Sequence, residues 1–264
     1  MNKTASSPLY ELFAVERLNG IDATQEDKRL YGTDADDSWL VLGNVTSGNG
    51  HSLIVDLQEG NDSFRVFGNM ESSGGGRTLL DFSGNSTITV SGNVVADGGR
   101  NYLRNYWGDN TINIAGRLSA TGGGSNMIEM DEVERGSIRI DKGIEATGSS
   151  YNNIACGMIG SSEYSTISID GISASDNSRN SLHFTGDNQG NYSMDLTKGV
   201  SAVGGSTNYL EFYQCSHAEL DINGSVNSME GGNTTFQFSN DRTDFTLYRT
   251  LATHHPSNTL HFAG

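Results

Sequence analysis

Apolar residues in this chain come in pairs two apart, and the pairs return at nearly constant intervals. Their first members are Leu40, Phe64, Ile88, Ile112, Ile138, Ile167, Met194, Leu220 and Phe245, separated by 24, 24, 24, 26, 29, 27, 26 and 25 residues. Two places after each lies Leu42, Val66, Val90, Ile114, Ile140, Ile169, Leu196, Ile222 or Leu247. A third apolar column follows: Val45, Met70, Val94, Leu118, Ile144, Ile172, Val200, Val226 and Leu251. Its partner two places on is always small: Ser47, Ser72, Ala96, Ala120, Ala146, Ala174, Ala202, Ser228 and Thr253. Between the first two columns stand Val41, Arg65, Thr89, Asn113, Arg139, Ser168, Asp195, Asp221 and Thr246, nearly all polar. A side-chain period of two belongs to a strand with alternating faces, so the pattern predicts one buried and one wet face.

A third strand completes most repeats, through Leu80 and Phe82, Ile128 and Met130, Leu182 and Phe184, Leu210 and Phe212, Phe236 and Phe238, and Leu260 and Phe262. Val55 with Leu57 and Ile154 with Cys156 fit more loosely, and the register around Tyr102–Trp107 is ambiguous. Three short strands per repeat leave no room for the helical crossover of a βαβ unit. They fit a coil in which each strand stacks on its equivalent one turn away, the repeat signature of a solenoid. The expected fold is therefore an all-β, right-handed parallel β-helix of nine rungs, the hand being the usual one for parallel crossovers. With rungs ~4.8 Å apart, the rod is on the order of 40 Å long.

Glycine clusters at Gly74–Gly76, Gly98–Gly99, Gly122–Gly124, Gly204–Gly205 and Gly231–Gly232 mark the turns before the third strands. Such turns call for positive φ. Only two prolines occur, as suits strands that must donate ladder hydrogen bonds. The spacing divides the chain into an N-terminal capping segment, 1–36, and a repeat domain, 37–264. Within the first, Pro8 to Leu18 reads as a short amphipathic helix, with Ser6 or Ser7 as N-cap and Leu9, Leu12, Phe13 and Val15 supplying the apolar surface that shields the open end. No matching cover follows the ninth rung. The expectation is a piece of a longer rod, or end-to-end self-association through that rung.

The formal net charge is −16, which argues against nucleic acid and anionic membranes as partners. Cys156 falls at an inward position and Cys215 near a turn, about two rungs apart and too distant for a disulfide. The N-terminus lacks the apolar core of a secretory signal, and no apolar run approaches the ~20 residues of a membrane span.

The stretches Glu59-Gly60-Asn61-Asp62-Ser63-Phe64-Arg65-Val66 and Gly108-Asp109-Asn110-Thr111-Ile112-Asn113-Ile114 sit in Gly- and Asn-rich, Cys-poor rungs ending in G-N-V. Over residues 37–264 the chain resembles the passenger regions of bacterial autotransporters and related large surface adhesins. The resemblance implies a secreted or cell-surface rod, adhesive or spacing in role, without an enzyme site, whose partner is a host or environmental glycan or protein.

Three candidate sites follow from the residues. Asp34, Asp36 and Asp37 supply clustered oxygens of the kind calcium takes, which makes a calcium-stabilised module one alternative. Asp170, Asp195 and Asp221 are expected on the outward face of the first sheet in adjacent rungs, beside Arg139. Stacked carboxylates raise one another's pKa and can serve as acid and base on a glycosidic bond, which makes a polysaccharide hydrolase or lyase the other alternative. Rungs five to seven carry longer turns, where Glu163, Tyr164, Tyr192, Tyr213 and His217 are expected to gather as a ligand contact. His254-His255 reads as a solvated turn, and Glu129, Asp131, Glu132 and Glu134 as a wet edge. No P-loop, G-x-S-x-G or H-E-x-x-H pattern occurs.

Overall fold

Each period-two burst forms a strand, and each strand stacks in parallel on its equivalents in the turns before and after. The computed structural model describes residues 15–159, 163–248, 251–254 and 257–263, and every regular element among them is a strand. The strands build a β-solenoid of about nine turns with three faces, the first, second and third sheets in chain order. The second sheet has ten strands. The other two are joined because the strands Arg100–Ile114 and Ser125–Ile140 run through the corner, with register breaks after Gly108 and Met130.

The registers match the apolar columns. Phe64, Ile88 and Ile112 are neighbours on the first sheet, and Val45, Met70 and Val94 on the second. The first turn differs by one residue. Trp39, not Leu40, pairs with Phe64, and Val41 pairs with Val66. Trp39 and Val41 are buried, whereas Leu42 is 52% exposed. The run Trp39-Leu40-Val41-Leu42 is apolar in both registers, so periodicity alone does not choose. Burying the indole settles it, and Trp39 then stands six residues before Val45, the spacing most later turns keep.

The coil also begins ahead of residue 37. Strands Val15–Leu18, Ile21–Ala23 and Lys28–Tyr31 pair in parallel with the first-turn strands. The C-terminal end of the expected helix is therefore strand. A four-residue segment with Val15 and Leu18 at its ends gains more from ladder bonds to Ser38–Val41 than from one isolated helical turn. The rest of that helix, residues 8–14, lies outside the described residues, as do Ser6 and Ser7.

The core is a set of like-on-like ladders. Phe184, Phe212, Phe238 and Phe262 stack with centroids 5.0, 5.4 and 5.1 Å apart, close to the strand spacing itself. A second ladder is polar. Asn101, Asn126, Asn152, Asn180 and Asn208 face inward where the second sheet turns into the third, all essentially buried. From Asn101 to Asn180 each Nδ2 donates to the next asparagine's Oδ1 at 2.9 Å. The same amides donate at 2.6–2.8 Å to backbone carbonyls of the second sheet, from Val95 to Ser201. Buried amides are tolerated there because, from Asn101 to Asn180, both hydrogens and the oxygen are met. Cys156 and Cys215 are free thiols, and both are buried, Cys215 included. Burial pushes each up to about 12, so both remain protonated.

Candidate functional site

Outward positions on the third sheet carry the densest chemistry of the surface. The turn around residues 100–106, ambiguous in sequence, buries Leu103 and points Tyr102, Arg104 and Tyr106 outward. Arg104 is the centre of a network. Its Nε donates to Glu129 at 3.1 Å, an Nη lies 3.9 Å from Asp81, and another donates to the Tyr106 hydroxyl. The guanidinium lies 5.1 Å from the Tyr106 ring centroid, and Arg77 lies 4.9 Å from that of Tyr102. Burial raises the Asp81 carboxyl, with Arg104 pulling the other way.

At the edge of this cluster Trp107 is 57% exposed with φ of +60°, and its indole N–H donates to Glu132 at 2.5 Å. A bulky residue in the left-handed region is uncommon and stores strain. Here the corner bulge holds an indole out in solvent, next to Tyr106.

A second cluster lies two to five turns on. Arg179 sits between the rings of Tyr151 and Tyr209, 6.0 and 5.9 Å from their centroids. His183 Nδ1 meets Glu211 at 3.0 Å, its Nε2 meets Ser181 Oγ at 2.7 Å, and its ring lies 5.3 Å from that of Tyr209. The Tyr209 hydroxyl donates to Gln237 at 3.0 Å. Burial, and then the Glu211 carboxylate, push the Tyr209 phenol up. Between the clusters the outward residues are small: Ala155 stacks between Glu129 and His183, and Gly157 precedes Thr185.

The residues singled out from sequence are distributed differently. Tyr164 and His217 do come together, two turns apart on the first sheet, with the phenol 2.5 Å from Nδ1. His217 Nε2 in turn meets Asp244 at 2.9 Å. Exposed Glu163 lines a hollow of about 350 Å³ beside Tyr164, Asp109 and Arg135. Tyr213, 43% exposed, belongs to the third sheet beside Thr185. Tyr192 does not reach this surface. It is fully buried against Phe184 and Phe212, and its hydroxyl donates to the carbonyls of Cys156 and Thr185. The alternation explains this, because Tyr192 stands two places before the inward Met194.

Of the three aspartates, Asp195 and Asp221 are neighbours, but Ser168 rather than Asp170 aligns with Asp195. Asp170 lies past its strand, where Lys198 binds it at 2.6 Å and holds its carboxyl below the usual range. The stacked trio is thus reduced to a pair. The open groove of about 550 Å³ flanking Asp170 carries Arg117, Lys142 and Lys198; the first is paired with Glu145 and the last with Asp170.

Asp34 is exposed, Asp36 accepts two bonds from Asn61 at 2.9 Å, and Asp37 accepts from the Thr33 backbone at 2.6 Å. Among the described residues no three His, Cys, Asp or Glu side chains converge as a metal site. Asp62, buried beside Asp37, accepts from its backbone N–H at 2.9 Å, and its Oδ2 has no partner. Burial, together with the negative Asp37 and Asp36, raises its carboxyl to about 7. His254 lies in a strand, and His255 lies outside the described residues.

No protein-family model, curated protein or solved structure matches this chain.

Proposed function

We propose that this chain is a right-handed β-solenoid displayed outside a bacterial cell, an adhesin-like rod that holds a glycan across its third sheet. The observation that carries the reading is the outward array of Tyr102, Tyr106, Tyr151 and Tyr209, interleaved with Arg104, Glu129, His183, Glu211 and Gln237. Sugar rings offer an apolar face and a rim of hydroxyls. Aromatic rings receive the face, and planar fork-shaped groups receive the hydroxyls. The array is largely prepaid in conformational freedom, because most of these side chains are already tied to one another. The low cysteine count, the acidic surface and the likeness of the rungs to adhesin passenger regions support an extracellular setting.

The test is a glycan array followed by titration calorimetry on the best hit. Binding is expected, with Y209A and R104A each weakening it at least tenfold, whereas D195N on the first sheet leaves it unchanged. Silence across neutral and acidic polysaccharides, or affinity indifferent to both third-sheet variants, would sink the reading.

A further inference from the structure

Ser181, His183 and Glu211 form a chain of contacts that glycan binding alone does not require. Glu211 as a carboxylate can only accept, so His183 Nδ1 carries the hydrogen of the 3.0 Å contact. In the neutral ring Nε2 then accepts, and the Ser181 hydroxyl donates to it at 2.7 Å. Nucleophile, base and orienting acid thus stand in the order and at the distances of an acyl-transfer relay, all on outward positions of two adjacent turns. Arg179 donates to Ser181 Oγ at 3.4 Å.

We propose that this constellation is a serine esterase site that removes O-acyl groups from the glycan held on the third sheet; its substrate rests on the binding reading above. Ser181 is fully buried. Its cover includes Arg179, an exposed side chain held only by that long bond and by rings at 6.0 and 5.9 Å, so an acyl carbonyl can draw it aside cheaply. Ser181 Oγ attacks the carbonyl carbon as His183 takes the hydroxyl proton. The oxyanion meets the Arg179 guanidinium. Collapse breaks the bond to the sugar oxygen, which receives the proton from His183. Water then attacks the acyl-serine, giving a proton to His183 and releasing the carboxylic acid with Ser181 restored. The sum is ester plus water to acid plus alcohol.

An ester rather than an amide is indicated because the backbone N–H groups of these strands are committed to the sheet ladder. The oxyanion is left to side chains, which suits the better leaving group.

The full chain is treated with a fluorophosphonate probe and, separately, with acetylated xylan and p-nitrophenyl acetate. The expected result is a single label that peptide mapping assigns to Ser181, with acetate release falling 10³-fold or more in S181A and H183Q. Glu211 acts through His183, so E211Q is expected to lower kcat on p-nitrophenyl acetate with KM for that small ester held. S181A should still bind the deacetylated glycan. Absence of label at Ser181, or acetate release equal in wild type and S181A, overturns the esterase while leaving the binding reading intact. A labelled, ester-cleaving protein that binds no glycan keeps the esterase and removes its glycan substrate.

Discussion

Asn180 shows how much a single buried amide holds. It accepts from Asn152, and its own hydrogens go to Asn208 at 2.9 Å and the Ser173 carbonyl at 2.7 Å. Asn180→Ala leaves three groups unmet in a dry corner, and about 3 kcal/mol of stability is expected to go, read from urea denaturation. Asp62 has the opposite character. Its carboxyl is raised to about 7 in the folded chain, against roughly 4 when unfolded. Between those values the folded state binds the proton more tightly, so this residue's contribution is fully present below pH ~4 and is lost as pH rises to about 7. D62N mimics the protonated form and still accepts from Asp37. Its melting temperature is expected to fall less than that of wild type between pH 4 and 8; parallel curves would show that Asp62 is not the titrating group. The asparagine column was open to reading, since each member stands two places before a third-strand anchor. Periodicity counted in apolar residues passes over it.

At the scale of elements, the corner between first and second sheets depends on close backbone approach. Gly43, Gly68, Gly92 and Gly116 stack through N–H to carbonyl bonds of 3.2, 2.9 and 3.0 Å. A Cβ on Gly92 would lie 2.7 Å from the Gly68 carbonyl oxygen, so G92A must push two turns apart. A loss of about 1–3 kcal/mol is expected in the same denaturation experiment, and an unchanged midpoint would show that the corner yields freely. The strands themselves were legible because inward residues repeat. Where both registers are apolar, at Trp39–Leu42, the frame slipped by one. The outward face was harder to read because nothing on it repeats. Arg104, Glu129, His183 and Glu211 share one column between the inward anchors but differ in type and charge, and only the third-sheet register sets Arg104 beside Glu129 and His183 beside Glu211.

The whole molecule is close to one-dimensional: each turn touches mainly the turns before and after it. The outer surface can therefore vary turn by turn while the ladders inside stay the same, which separates what the outer surface carries from the requirements of folding. It also explains why charge, with a net of −16, bears on solubility and setting rather than on the fold.

The asparagine file has one further property. Every amide from Asn101 to Asn180 donates to the asparagine that follows it and never to the one before. The side-chain dipoles therefore point the same way along the axis and polarise one another. Wherever the file runs, the rod is electrically directed, hydrogens leading and oxygens trailing. A turn added to the file or deleted from it must keep that sense, or two oxygens or two sets of hydrogens will meet in a corner that holds no other partner for them.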